Sequence, residues 1–216
     1  MSVPEFFAAA PTLRVRDPLA DFLGAATGGE LEYCYLDAVK LAGHSCPTVA
    51  GSYLATIRAL QFLYPDSLPV RGRIGVKFRA SQEDGVTGVM AAVAGLLTGA
   101  AGGGGFKGIG GQFMRHDLLQ FDVPVPLEMR FVRLDSGAGV DVALNLQRVP
   151  ADPAVRSLLG QALDDAATPE QRQQFAAAWQ LRVKGILVDR VDDPELIRLQ
   201  PCHSVQSAGR CALLVE

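Results

Sequence analysis

An imidazole and a thiol stand two residues apart in Gly43-His44-Ser45-Cys46-Pro47. Zinc accepts thiolate sulfur and imidazole nitrogen in one shell, so this spacing could grip a metal ion. Downstream, Val49, Tyr53, Ile57, Leu60 and Tyr64 recur at spacings of three and four, which predicts a helix over Thr48 to Tyr64. Pro47 then takes the first helical position, where its missing N–H costs nothing. Cys46 falls at the helix N-terminus, where free N–H groups and the positive dipole end favour a thiolate. The same residues admit a purely structural reading, in which Cys46 caps the helix and His44 bonds a backbone carbonyl.

Zinc takes about four ligands, and His44 and Cys46 supply two. Cys202 and His203 are the best remaining soft donors, which predicts that the C-terminal tail approaches the corner. Glu83 and Asp84 are oxygen candidates; His116 and Cys211 rank lower, since His116 lies in the charged run Arg115-His116-Asp117. Cys34 falls on the apolar stripe of an expected helix and reads as core. The glycine cluster from Gly102 to Gly111 invites a phosphate-loop reading, but it follows a helix pattern and lacks a Lys-Ser or Lys-Thr ending. A loop bordering a site fits better, with Lys107 placed to meet an anion and a small-molecule ligand nearby.

The elements that must position these groups fall in three sections. Residues 1–28, broken by Pro4, Pro11 and Gly28-Gly29, read as an arm with a short helix from Pro18 to Leu23. Residues 29–150 carry a helix from Glu30 to Ala42 stopped at Gly43, then a strand from Arg71 to Ala80 with Ile74, Val76 and Phe78 on one face. A Gly/Ala-rich helix from Val86 to Leu97 follows, and then a hairpin of Leu127 to Leu134 with Val140 to Val149 around Asp135 to Gly139. Residues 151–216 form a helical extension and tail. Helices are expected from Pro153 to Ala166 and from Thr168 to Leu187, the second opened by a Thr168 and Gln171 capping box. A strand from Glu195 to Leu199 then turns at Pro201-Cys202-His203, and the segment from Cys211 reads as a last short strand.

Composition bounds the rest. A chain of 216 residues with 49% hydrophobic content buries a sizeable core. A net charge of −3 with scattered Lys and Arg leaves no basic footprint for nucleic acid. The first residues lack a basic secretory n-region, and Val86 to Ala101 is shorter than the roughly 20 apolar residues a membrane span needs. The expectation is a cytoplasmic protein. Its four cysteines are too few for a disulfide scaffold in a chain this long.

The motif at Gly43 to Pro47, with Gly51, Tyr53 and the helix to Leu60, resembles the Gly-His-x-Cys-Pro-Gly signature of the FmdE family of formylmethanofuran dehydrogenase. The likeness continues in order through a strand, the polar step Gln82-Glu83-Asp84, a helix ending Thr98-Gly99, and Phe106-Lys107-Gly108, covering roughly residues 30–150. It implies an α+β fold with a mixed or antiparallel sheet, a homodimer, and a transition metal, usually zinc, held by His44 and Cys46. Ala100 stands where the family commonly has a cysteine, and Thr48 stands where it has the glycine after proline. The region of Cys202, His203 and Cys211 lacks the paired Cys-x-x-Cys of relatives that carry a zinc ribbon. The apolar Phe6-Phe7 arm and the Gly/Ala helix are the surfaces suited to dimer packing. Three function classes follow. One is a metal-binding protein in sensing, delivery or regulation. Another is an enzyme in which the metal activates water, or Cys46 attacks with His44 as base. The third is an interaction protein with a structural metal.

Overall fold

The computed structural model describes residues 3–203, with the side chain of His203 outside that description. Its axis is α3 (Pro47–Leu63), a helix buried on nearly every side. Small residues such as Ala50, Gly51, Ser52, Ala55 and Ala59 make this possible, because neighbours can approach its backbone closely from several directions. Gly51 shows the fit: a Cβ there would come within 2.6 Å of the Leu144 side chain.

The main sheet has the order β4-β3-β5-β6-β7, with ranges β3 (Ile74–Phe78), β4 (Leu119–Gln120), β5 (Met129–Arg133), β6 (Ala138–Leu144) and β7 (Ile197–His203). Every neighbouring pair is antiparallel except β3 and β4, so the sheet is mixed and the fold is α+β. Ile74, Val76, Phe78, Met129, Phe131, Val140 and Val142 alternate into the core, as the period of two requires. A separate antiparallel pair joins β1 (Leu13–Arg16) to β2 (Glu30–Tyr33).

Several sequence expectations need correction. The helix expected over Glu30 to Ala42 is split: Glu30–Tyr33 pairs with β1, and α2 (Tyr35–Ala42) begins only after Cys34. Glu30-Leu31-Glu32-Tyr33 also alternates polar and apolar residues, and the available partner strand decides for period two. The turn expected at Pro201-Cys202-His203 is instead the end of β7, where Pro201 pairs with Val140. Among the described residues β7 is an edge strand, a position that tolerates a residue without an N–H.

The N-terminal arm joins the core. Phe7 is buried and meets the Tyr35 ring edge-on at 4.9 Å, and Tyr35 in turn meets Tyr53 at 5.5 Å. The Gly/Ala helix, α4 (Thr87–Thr98), packs on α2 and α3. Both surfaces considered for dimer packing are therefore used within the chain. After β6 a single 3-10 turn (Leu146–Arg148) replaces the expected end of that strand, with the Asn145 side chain accepting from the N–H of Gln147. The extension comprises α5 (Val155–Ala162) and α6 (Pro169–Lys184), the latter opened by the expected capping box. A π-helical turn, Gly185–Asp189, continues α6 and buries Ile186 and Leu187 completely.

One polar node ties remote segments together. Asp17 caps the short helix α1 (Pro18–Phe22) by accepting from the N–H groups of Leu19 and Ala20. Its carboxylate also receives Arg71 Nη1 at 2.8 Å and Arg115 Nη2 at 2.5 Å. Burial opposes the charge on Asp17, but the hydrogen bonds from Arg115 and Arg71 outweigh it and hold the carboxyl below its ordinary value. Among the described residues no helix is long and apolar enough to cross a membrane.

Candidate functional site

The corner between α2 and α3 is built as a fixed platform. Gly43 ends α2 with φ at 75°, a left-handed value that glycine adopts without steric cost, and its N–H closes on the Val39 carbonyl. Ser45, at the centre of the corner, is held by four hydrogen bonds. The Tyr35 hydroxyl meets Ser45 Oγ at 2.9 Å, and Ser45 Oγ donates to Gln180 Oε1 at 3.0 Å. The Ser45 carbonyl accepts from Gln180 Nε2 at 3.2 Å and from Trp179 Nε1 at 3.0 Å. Burial pushes the Tyr35 phenol well above its ordinary value, so at neutral pH it keeps its proton to donate to Ser45. The proton count closes, with each donor on one acceptor.

His44 and Cys46 flank this pinned residue in sequence. His44 is exposed, and its Nδ1 lies 2.9 Å from the Ala42 carbonyl, which leaves Nε2 as the ring nitrogen for a ligand. Cys46 is half-buried and is the N-cap of α3, its Sγ accepting from the N–H of Val49 at 3.5 Å. The capping and carbonyl contacts that a structural reading expects are therefore both present. Neither occupies the remaining donor capacity of the imidazole or the sulfur.

The other candidates are dispersed. Cys34 lies off any apolar stripe. It is the N-cap of α2, with its N–H on Asp37 Oδ2 at 2.9 Å and its Sγ donating to the same oxygen at 3.4 Å. Glu83 and Asp84 are exposed, Asp84 accepting from the N–H of Ser81. His116 Nδ1 pairs with Asp117 Oδ2 at 2.6 Å. Cys202 is opposite Gly139 in the β6–β7 ladder, beside the Arg130 and Asp141 ion pair. Burial and the Asp141 charge raise its thiol above the ordinary value.

The start of α3 touches the Leu144 end of β6, whereas the carbonyl of Leu63 at its other end accepts from Arg133, next to the residue opposite Gly139. The helix between is about 25 Å long, so within one chain β7 carries Cys202 to the far end of α3 from Cys46. Cys211 lies outside the described residues. Among the described residues no group of three or more His, Cys, Asp or Glu side chains gathers to hold a metal. The corner offers one thiol sulfur and one imidazole nitrogen.

The glycine-rich loop runs from α4 toward β4, not from a strand into a helix, so the phosphate-loop order is absent. Lys107 folds back onto the Gly103 carbonyl at 2.9 Å. Sequence reasoning missed the side chains that fix the corner. Trp179 is the chain's single tryptophan, but nothing in its local pattern says that its N–H reaches back to Ser45.

No protein-family model matches the chain, and no curated protein does. A solved structure of a tungsten formylmethanofuran dehydrogenase FmdE-like protein from Syntrophus aciditrophicus aligns with 79% of this chain and 73% of its own. The two are 15% identical, with a TM-score of 0.40.

Proposed function

We propose that the chain binds a divalent transition metal, zinc or an ion of similar softness, through His44 and Cys46, and serves in metal sensing, delivery or regulation. The observation that supports this is the immobilised corner: Ser45 is held by four hydrogen bonds while the imidazole and thiol on either side keep free donor capacity. Two protein donors leave coordination positions open to solvent or to a second copy of the chain, an arrangement suited to taking up and passing on an ion. A homodimer belongs to the same proposal, and light scattering at micromolar concentration with and without zinc tests it.

The geometry speaks less for a Cys–His nucleophile. His44 Nδ1 is directed to Ala42, and no hydrogen bond joins the ring to Cys46, which a base must reach to take its proton. Metal-assisted hydrolysis has one observation in its favour. A cavity of about 270 Å³ opens beside the first turn of α3, lined by Thr48, Met90, Glu128 and Asn145 among others. X-ray absorption on the zinc-loaded protein separates the two. Two protein donors, or four from a pair of chains, support binding, and three protein donors plus one water support the enzyme.

A further inference from the structure

We propose that Arg71, Arg73 and Arg115 form a binding site for the carboxylate of a small organic acid, separate from the His44–Cys46 corner. Two adjoining cavities share Gly72, Arg73 and Phe113. The smaller, about 30 Å³, is also lined by Arg71, Arg115 and Leu19; the larger, about 190 Å³, adds Met114, Leu118, Leu134 and His116. Among the described residues no carboxylate lines either cavity.

The positive charge is not balanced from within. Asp17 answers two of the guanidinium groups, and both of its oxygens are already engaged. Arg115 Nε is buried and, among the described residues, has no hydrogen-bond partner. Arg73 is exposed, and among the described residues its guanidinium makes no hydrogen bond or ion pair. Guanidinium groups that line a cavity, with more positive charge than Asp17 answers, are a receptor for an anion. Arg115 approaches this close only because its neighbours are glycines: a Cβ on Gly99 would stand 2.7 Å from Nη1, and one on Gly72 would stand 3.3 Å from Nε.

Size and lining select the anion. The smaller cavity has room for about two water-sized atoms, which matches the two oxygens of a carboxylate better than the four of a phosphate. Beyond it, Phe113, Met114, Leu118 and Leu134 make an apolar wall for a short carbon chain. Phe113 holds a left-handed backbone with φ at 59° and packs on the exposed Phe22 ring at 5.1 Å, which places an aromatic face at the mouth.

Calorimetric titration of the full chain with butyrate and with inorganic phosphate tests the site. Butyrate should bind saturably, more tightly than phosphate, and more weakly as salt rises. Arg73→Gln should weaken butyrate about tenfold, and Arg73→Lys should weaken it less. Circular dichroism checks the fold of both variants, and among the described residues the Arg73 side chain has no hydrogen bond or ion pair to lose. No saturable butyrate binding to the wild type, or equal affinity in a folded Arg73→Gln, overturns the proposal. Phosphate binding more tightly than butyrate overturns the carboxylate assignment.

Discussion

The indole N–H of Trp179 donates to the carbonyl of Ser45 at 3.0 Å, across 134 positions of sequence. Through it and Gln180, α6 holds the corner that carries His44 and Cys46. Trp179→Phe keeps an aromatic ring but removes the donor. It should lower stability by about 1 kcal/mol, read from urea unfolding. It should also weaken zinc binding severalfold, because the corner gains freedom that binding must remove.

Asp17 should shape the acid limb of stability. Its carboxyl is held below the ordinary value in the folded chain, so the unfolded chain binds the proton more readily. Its contribution is therefore complete above the unfolded value of about 4 and is lost as pH falls through the folded one. Asp17→Asn should flatten the decline of stability below that pH. At neutral pH it should cost about 3 kcal/mol by removing the one carboxylate that faces the half-buried Arg71 and Arg115 guanidinium groups. Asp135, held at about 2 by Arg133, acts in the same direction, but it is half-exposed and solvent screens it. Urea midpoints across pH 2–7 for wild type and Asp17→Asn provide the check.

Gly29→Ala should be among the costliest single changes. Gly29 has φ at 71°, and a Cβ there would stand 2.3 Å from the Asp17 carbonyl oxygen, a backbone atom that cannot rotate away. Left-handed strain and the clash together should cost about 2 kcal/mol or more. A melting temperature within a degree of wild type would contradict this.

The parts of the fold that can be read from sequence are those with strong local chemistry. Pro47 after Cys46, Gly43 after Ala42, and Thr168 with Pro169 and Gln171 mark helix ends by hydrogen-bond and φ requirements that need no tertiary partner. Glu30 to Tyr33 fits two periods, and only its pairing with Leu13 to Arg16 resolves the ambiguity. Pro201 suggests a turn until the edge position of β7 is known. At the candidate site, the His44 and Cys46 pair is visible because its members are neighbours in sequence. The Tyr35, Trp179 and Gln180 contacts that pin Ser45, and the meeting of Arg71 with Arg115 at Asp17, are long-range and carry no local pattern.

The proposed binding of one metal ion by His44 and Cys46 together is tested most directly by Cys46→Ser combined with His44→Ala. Serine at position 46 can still cap α3, so the fold should survive while the sulfur donor is lost. Purified without a histidine tag and titrated with zinc against a chromogenic chelator, the wild type should take up a stoichiometric ion, and the double variant, folded by circular dichroism, should bind at least about tenfold more weakly. Equal zinc affinity and content in the two proteins would contradict the account.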